Sequence, residues 1–450
     1  MNFLSRLWHR LRGEQGTAIS SPVTAAPAVN PDPVFLATRG DTLKERFIVL
    51  RQAVLDRDMA VTGYDFTQIG DLVASQYAVE RDKALLQHVR GQEARKLVAG
   101  RTGFVSIVHT LLFDHRIDEL AGTKTIPLLR PASLHDIDEL HTNRIEALKL
   151  AGIEVGLADG RAALENDALA GAIRVAFFSI TEFLPPDLLQ ISRRLAQQHP
   201  ALRLGIRGIE SQEEFDACRR MNFVYFHGPF IRRREEWSQN RADPGAVRIC
   251  DLLGRLRKGA ELEQIAEQIK LDPMISYRIL RLANSAAVGA TRDITSIRDA
   301  TLILGRDPLY RWLVLLLCLT APVAPGQQAL LEYALTRGRL MELLAPAGTK
   351  TAARQVLFLT GMFSLLDVML KVPMQSLLSQ LSLPPQVSDA IVGRIGPCAL
   401  ALQLAEACEQ ADGPRVTGLC AELGIDIATL NQRQAEAGAW ARASAHGVPA

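Results

Sequence analysis

The sequence predicts two domains of different class: an α/β domain built as a TIM-like (β/α)8 barrel, then an all-α domain. Three observations predict this. Eight short β-prone runs recur between residues 47 and 230, most of them separated by helix-compatible stretches, and strands alternating with helices imply a parallel sheet. A charged junction, IRRREEWSQNRADPG, follows Phe230. Beyond the junction the apolar residues recur with helical period, and Pro and Gly separate the segments.

The elements follow in chain order. Residues 1–13, MNFLSRLWHRLRG, place Phe3, Leu4, Leu7, Trp8 and Leu11 on one helical face and Arg6, His9, Arg10 and Arg12 around the other. Such a basic amphipathic segment lies as a peripheral contact on an anionic membrane surface, docks on a partner, or frays; the sequence leaves the three open. Residues 15–33, rich in Ala, Pro, Ser and Thr, read as a flexible linker, so 1–33 form one N-terminal region. The barrel is expected over 46–231, from the runs FIVLRQAVL, AVTGYDF, FVSIVH, TIPLLR, EVGLAD, AIRVAFF, LRLGIRGI and FVYFHGPF. The first two lie too close together for a crossover helix and are expected to pair as a hairpin. The helical domain is expected over 240–440, from segments such as LEQIAEQI, ISYRILRLAN, LLEYALTRGRLMELLA and CALALQLAEACEQA.

Composition bounds the function. The 450 residues are enough for two or three cores, and 48% hydrophobic with 22% charged is the composition of an ordinary globular chain. A net charge of +2 argues against a nucleic-acid partner held by a broad basic surface. The six cysteines (218, 250, 318, 398, 408 and 420) form no CxxC, which points to buried free thiols in a reducing cytoplasm rather than disulfides or zinc. The longest apolar run, Trp312 to Val323, is too short to span a bilayer, which needs about 20 residues. No secretory signal is visible, and no glycine-rich nucleotide loop has the spacing of a P-loop or a dinucleotide fingerprint.

In barrels of this class the chemistry sits at the C-terminal ends of the strands, here read as Asp65, Ser106, Leu129 with Arg130, Asp159, Arg174, Arg207 and His227. RQAVLDRDMAVTGYDF is similar to the opening hairpin of the EAL domain, usually close to QPIxD…GxEAL. GIRGIESQEEFDACRRMNFVYFHGPF is similar to its closing AEGVET…GxxxxQGxxF segment. Residues 46–231 thus resemble the EAL domain, the barrel-fold phosphodiesterase domain that linearises cyclic di-GMP in bacteria. The resemblance implies where the family's functional side chains fall. Its signature glutamate, a metal ligand, is matched by Asp65, and its asparagine ligand by Ser106. The following glutamate falls at Leu129, the paired aspartates at Ala158 and Asp159, the catalytic lysine at Arg174 and the aspartate after it at Ala176. The closing glutamate is Arg207 and the closing glutamine is His227. Gln52, near the nucleotide in the family, is retained, whereas the phosphate-contacting arginine falls near Ile69.

A site using two divalent ions needs several hard oxygen ligands, and a guanidinium that keeps its proton opposes metal binding. The resemblance therefore implies lost catalysis. Arg174 and Arg207 remain as contacts for phosphate or as partners of Asp65, Asp159 or Glu210, and both readings stay open.

LDPMISYRILRLANSAAVG, ITSIRDATLILGRDPLYRWL and LTGMFSLLDVMLKVPMQSLLSQLSLP resemble the HDOD domain, an HD-related output domain of bacterial signalling proteins. The only histidine of this half is His446, and there is no His-Asp dipeptide, so no HD-type metal hydrolase is expected. The combined expectation is a cytoplasmic, bacterial, non-catalytic adaptor in cyclic di-GMP signalling. It would be no enzyme, hold no cofactor or metal, and act on a signalling protein partner that the sequence does not identify. The alternative is a cyclic di-GMP receptor using a vestigial ligand site of Gln52, Asp65, Asp159, Arg174, Arg207 and His227. A residual phosphodiesterase with Asp65 and Asp159 as a reduced metal site ranks third.

Overall fold

The computed structural model describes residues 47–69, 78–90, 100–133, 136–234, 244–284, 294–319, 325–380 and 383–447. The N-terminal region 1–33, with its expected amphipathic helix, lies outside them. Eight strands close into a barrel in sequential order: β1 (Ile48–Leu55), β2 (Val61–Ile69), β3 (Thr102–Val108), β4 (Thr125–Arg130), β5 (Gly156–Leu157), β6 (Val175–Ser179), β7 (Arg203–Arg207) and β8 (Phe223–His227). β1 and β2 pair antiparallel, with Gln52 opposite Asp65, and β4 to β8 run as parallel neighbours. Asp56 closes the hairpin turn, its side chain accepting from the Asp58 and Ala60 N–H groups at 2.9 Å each.

Between the strands lie α1 (Ala78–Arg90), α2 (His115–Asp118), α3 (Glu139–Leu150), α4 (Arg161–Glu165), α5 (Asp167–Ala172), α6 (Pro185–Gln198) and α7 (Gln212–Arg219). Their starts follow local capping chemistry: Asp138, Asn166 and Ser211 each accept a hydrogen bond from a backbone N–H of the first turn. The barrel interior is filled by rings from β3, β6 and β8. Phe104 packs edge-on to Phe177 at 5.3 Å and to Tyr225 at 5.2 Å between centroids. Gly205 on β7 makes room for this cluster, because a Cβ there would stand 2.5 Å from the Phe177 ring.

The chain sorts into two compact units. One comprises Gly70–His88 and Phe104–Gly228; the other comprises Ile48–Ile69, Val89–Gly103 and Pro229–Ala450. The β1–β2 hairpin thus sorts with the helical unit rather than with the other barrel strands. That unit contains α8 (Pro244–Arg257), α9 (Leu262–Lys270), α10 (Pro273–Ala283), α11 (Ile297–Leu304), α12 (Arg306–Leu319), α13 (Gln327–Leu343) and α14 (Thr351–Phe363). It continues through α15 (Leu366–Leu370), α16 (Met374–Gln380), α17 (Pro385–Ser388), α18 (Pro397–Gln410), α19 (Gly413–Leu423) and α20 (Ile427–Gly447).

Physical contacts explain why the hairpin goes with the helices. Ile48 and Leu50, alternate residues of β1, share a core with Leu404, Ala407, Val416 and Leu430 of α18 to α20. The β1 backbone is also held: Val49 N–H donates to Asn431 Oδ1 at 2.9 Å and Ala53 N–H to the Tyr333 hydroxyl at 3.2 Å. Two buried polar networks add to this. Tyr64 and Arg101 both hydrogen-bond Glu332. Glu409 takes a bidentate pair from Arg337 (2.9 and 2.6 Å) and a further bond from Arg232. The α13–α14 crossing depends on two glycines, since a Cβ on Gly361 would lie 2.6 Å from the Gly338 Cα.

No single helix among the described residues is long and apolar enough to cross a membrane. Cys218, Cys250, Cys398, Cys408 and Cys420 are free thiols, and burial pushes Cys218 and Cys250 up to about 12.

Candidate functional site

At the C-terminal ends of β6, β7 and β8 the parallel register aligns Ser179 with Arg207 and Arg207 with His227. Arg207 is half-buried. Its guanidinium lies 4.5 Å from the centroid of the Phe177 ring and 3.4 Å from both the Ala158 carbonyl and Ser106 Oγ. The aromatic plug, made possible by Gly205, thus carries a fixed cation at the C-terminal ends of the strands. Gly208, with φ +81°, turns the chain immediately after it, and the capping pair that follows (Ser211 to Glu214 N–H, Glu214 carboxylate to Glu210 N–H) fixes the GIES turn.

Other charged groups of this unit are committed to partners. Asp159, just past β5, accepts from Arg161 Nε at 3.0 and 2.8 Å and from the Arg161 backbone N–H at 3.0 Å. Burial alone would raise the Asp159 carboxyl, but the Arg161 hydrogen bonds and charge outweigh it and hold it below the usual carboxylate range. Arg130, at the end of β4, pairs at 2.7 Å with Asp82 of α1, which is 1% exposed and also accepts from Val108 N–H at 2.8 Å.

The six residues expected at the site do not gather as one set. Arg207 and His227 stand side by side, and Asp159 follows the carbonyl that Arg207 approaches. Arg174 is a correction: it precedes β6, at the opposite end of that strand from Ser179. There it pairs with Glu154 at 3.0 Å and donates to the Ala201 carbonyl at 3.2 Å. The expected run AIRVAFF began too early, because Asn166 caps a helix that continues to Ala172. The hairpin is described in its own unit. There Gln52 donates to the Glu409 carbonyl at 2.9 Å, so its amide serves the helices, and Asp65 on β2 is buried at 6% exposure. Sequence reasoning missed Ser179 and Asp82. The helix-start signal Asn166-Asp167 could have moved β6 and exposed the first, whereas Arg81-Asp82 within an ordinary amphipathic helix gave no signal for the second.

The residues present do not fit the divalent-metal pair that the EAL resemblance implies. Among the described residues no three His, Cys, Asp or Glu side chains are placed to hold a metal. Asp159 is closed by Arg161, Ser106 and Leu129 supply little or nothing, and a guanidinium occupies the middle of the row.

The HDOD domain model matches residues 247–380. Two curated relatives are similar over longer stretches. Cyclic di-GMP phosphodiesterase CdgJ of Vibrio cholerae serotype O1 is 30% identical over 262 residues, 58% of this chain and 59% of that one. Uncharacterized protein YuxH of Bacillus subtilis (strain 168) is 24% identical over 398 residues, 85% of this chain and 94% of that one. The match to CdgJ therefore spans about three-fifths of that relative's length. Among solved structures, the Xanthomonas citri FimX EAL domain in complex with c-diGMP aligns at 12% identity. It covers 41% of this chain and 86% of that chain with a TM-score of 0.34, too low to add weight.

The expectation of a protein that is not an enzyme is corrected by the first relative, which is named a phosphodiesterase. The physical reason is that lost oxygen ligands speak against one metal geometry, not against every arrangement of acids and bases. The closed barrel with its antiparallel opening hairpin, the CdgJ likeness and the HDOD match over residues 247–380 together support a two-domain arrangement, an EAL-like barrel followed by a helical unit similar to the HDOD domain.

Proposed function

We propose that the chain works in cyclic di-GMP signalling, with the barrel taking the cyclic dinucleotide at the C-terminal ends of its strands and the helical unit presenting a surface to a protein partner. The observation that carries the first part is Arg207, a guanidinium held on the Phe177 ring beside His227 at the end where such barrels bind ligands. A phosphodiester is recognised by guanidinium through paired charge-assisted hydrogen bonds. Support for the second part comes from apolar side chains left on the outside of the helices: Leu271 is 71% exposed and Tyr277 56%, with Leu302 and Ile303 at 45% each. Hydrolysis of the dinucleotide is the second reading, favoured by the name of the CdgJ relative.

Calorimetric titration of the full chain with cyclic di-GMP, with and without Mn²⁺, combined with chromatography of the mixture for the linear product, tests both. Binding that weakens at least tenfold in Arg207→Glu supports the proposal, and linear product adds the second reading. No heat and no product overturns both.

A further inference from the structure

A second candidate site lies wholly inside the helical unit. Where the end of α8, the start of α12 and the middle of α14 meet, they line a half-open cavity of about 290 Å³. This is near the lower end of the roughly 300–1,000 Å³ typical of small-molecule sites. Three arginines line it, Arg257, Arg306 and Arg311, against a single aspartate, Asp307. Arg306 and Arg311 are held in place by the fold. Arg306 donates one N–H to the Leu256 carbonyl at 2.8 Å, and Arg311 donates one to Glu342 at 2.8 Å while lying 5.2 Å from the Phe358 ring centroid. A guanidinium has five donors, so both keep donors for an anion.

The remaining walls divide the cavity by chemistry. Val356, Phe358 and Leu359 form an apolar side that suits a planar ring. Gln355 brings an amide, which both donates and accepts, and Tyr310 a phenol. Burial, opposed by the nearby charge of Arg257, pushes the Tyr310 hydroxyl up to about 12, so it stays a donor at neutral pH. Three guanidiniums stand against Asp307 and against Glu342, the partner of Arg311, so the positive charge left over favours an anion, and a phosphate monoester carries about −1.5 to −2 at pH 7.

We infer that this cavity of the HDOD domain binds a nucleoside monophosphate, its phosphate on the Arg257, Arg306 and Arg311 side and its ring against Val356, Phe358 and Leu359. The site stands apart from the cyclic di-GMP proposal and does not depend on it.

Calorimetry of the full chain with 5′-GMP and 5′-AMP as probes, and with inorganic phosphate and adenosine as controls, tests the inference. At least one mononucleotide is expected to bind at least tenfold more tightly than either control. Arg257 is exposed, so Arg257→Glu is expected to weaken that binding tenfold or more without altering the fold. Val356→Trp, which fills the cavity from the apolar side, is expected to abolish it while circular dichroism and Tm stay close to those of the parent. The inference is overturned if neither mononucleotide binds, if Arg257→Glu and Val356→Trp leave binding unchanged, or if binding is lost in Arg207→Glu instead.

Discussion

Glu409 is the residue whose loss should most weaken the helical unit. It lies on α18 and takes two guanidiniums: Arg337, from α13, through two bonds of 2.9 and 2.6 Å, and Arg232, from the turn after β8. The side chains are 13% exposed for Glu409, 4% for Arg337 and 10% for Arg232, so water screens none of them well. Removing one partner of a buried pair costs about 3–5 kcal/mol, because the remaining charge stays enclosed. Glu406, 3.8 Å from Arg337 Nη1, and the Ser364 hydroxyl, 2.6 Å from it, take up part of the loss. Glu409→Ala is therefore expected to cost about 3 kcal/mol, and Glu409→Gln, which keeps an acceptor, about 2 kcal/mol. The assay is urea unfolding followed by tryptophan fluorescence, with Trp312 and Trp440 both reporting from the helical unit. A cycle with Arg337→Ala and the double variant isolates the coupling, expected above about 1.5 kcal/mol for contacting charges. A loss under about 1 kcal/mol for Glu409→Ala, the range of exposed pairs, would refute the reasoning.

Three further outcomes follow from the same geometry. Burial alone would raise the Glu409 carboxyl, but Arg337 and Arg232 hold it below its ordinary value. Its stabilisation is then present above the unfolded carboxylate pKa and lost as pH falls through the lower folded value, so the gap between parent and Glu409→Gln should narrow on acidification below pH 4. Gly205→Ala sets a methyl 2.5 Å from the Phe177 ring, an overpacking expected to cost about 1–3 kcal/mol and, by shifting Arg207, to weaken cyclic di-GMP binding in the same titration. Asp82→Ala leaves Val108 N–H and Arg130 without their acceptor; limited proteolysis should show faster cleavage in the barrel unit, at an expected cost of about 3 kcal/mol.

Much of the barrel was legible because each strand left a local mark. TIPLLR is a strand from Thr125 to Arg130, as its apolar run between turn residues predicts, and the short DRDM link between the first two runs allowed nothing but a hairpin. What escaped the sequence was direction and distance. β6 was misplaced because AIRVAFF is apolar on both sides of Ile173, and periodicity does not mark where a buried helix ends and a buried strand begins; Arg174 was therefore assigned to the wrong end. Nor does any local pattern say that Gln52 would meet a carbonyl 357 residues away, or that Arg337 would be almost wholly enclosed. Long-range polar pairs depend on tertiary packing, and in one sequence an arginine at the core reads the same as one in water. Tyr277, although set in an apolar helix, is more than half exposed for the same reason.

The position matched to the family's nucleotide-side glutamine illustrates how a retained residue can change its task. Gln52 keeps its side-chain type, yet its amide donates to the Glu409 carbonyl, and Glu409 is the carboxylate that joins Arg337 to Arg232. To serve a ligand, Gln52 would have to leave that carbonyl, at a cost of about 1 kcal/mol for the bond, with Arg232 still reaching the carbonyl at 3.4 Å. The neighbouring β1 atoms add to the restraint, because Val49 and Ala53 donate to Asn431 and Tyr333 on either side of it. A strand fixed at three points by helices has little freedom to shift register, and a one-residue slip would carry Ile48 and Leu50 out of their core. Substituting Gln52 should therefore register first in the unfolding transition of the helical unit, and only afterwards, if at all, in the affinity for a nucleotide.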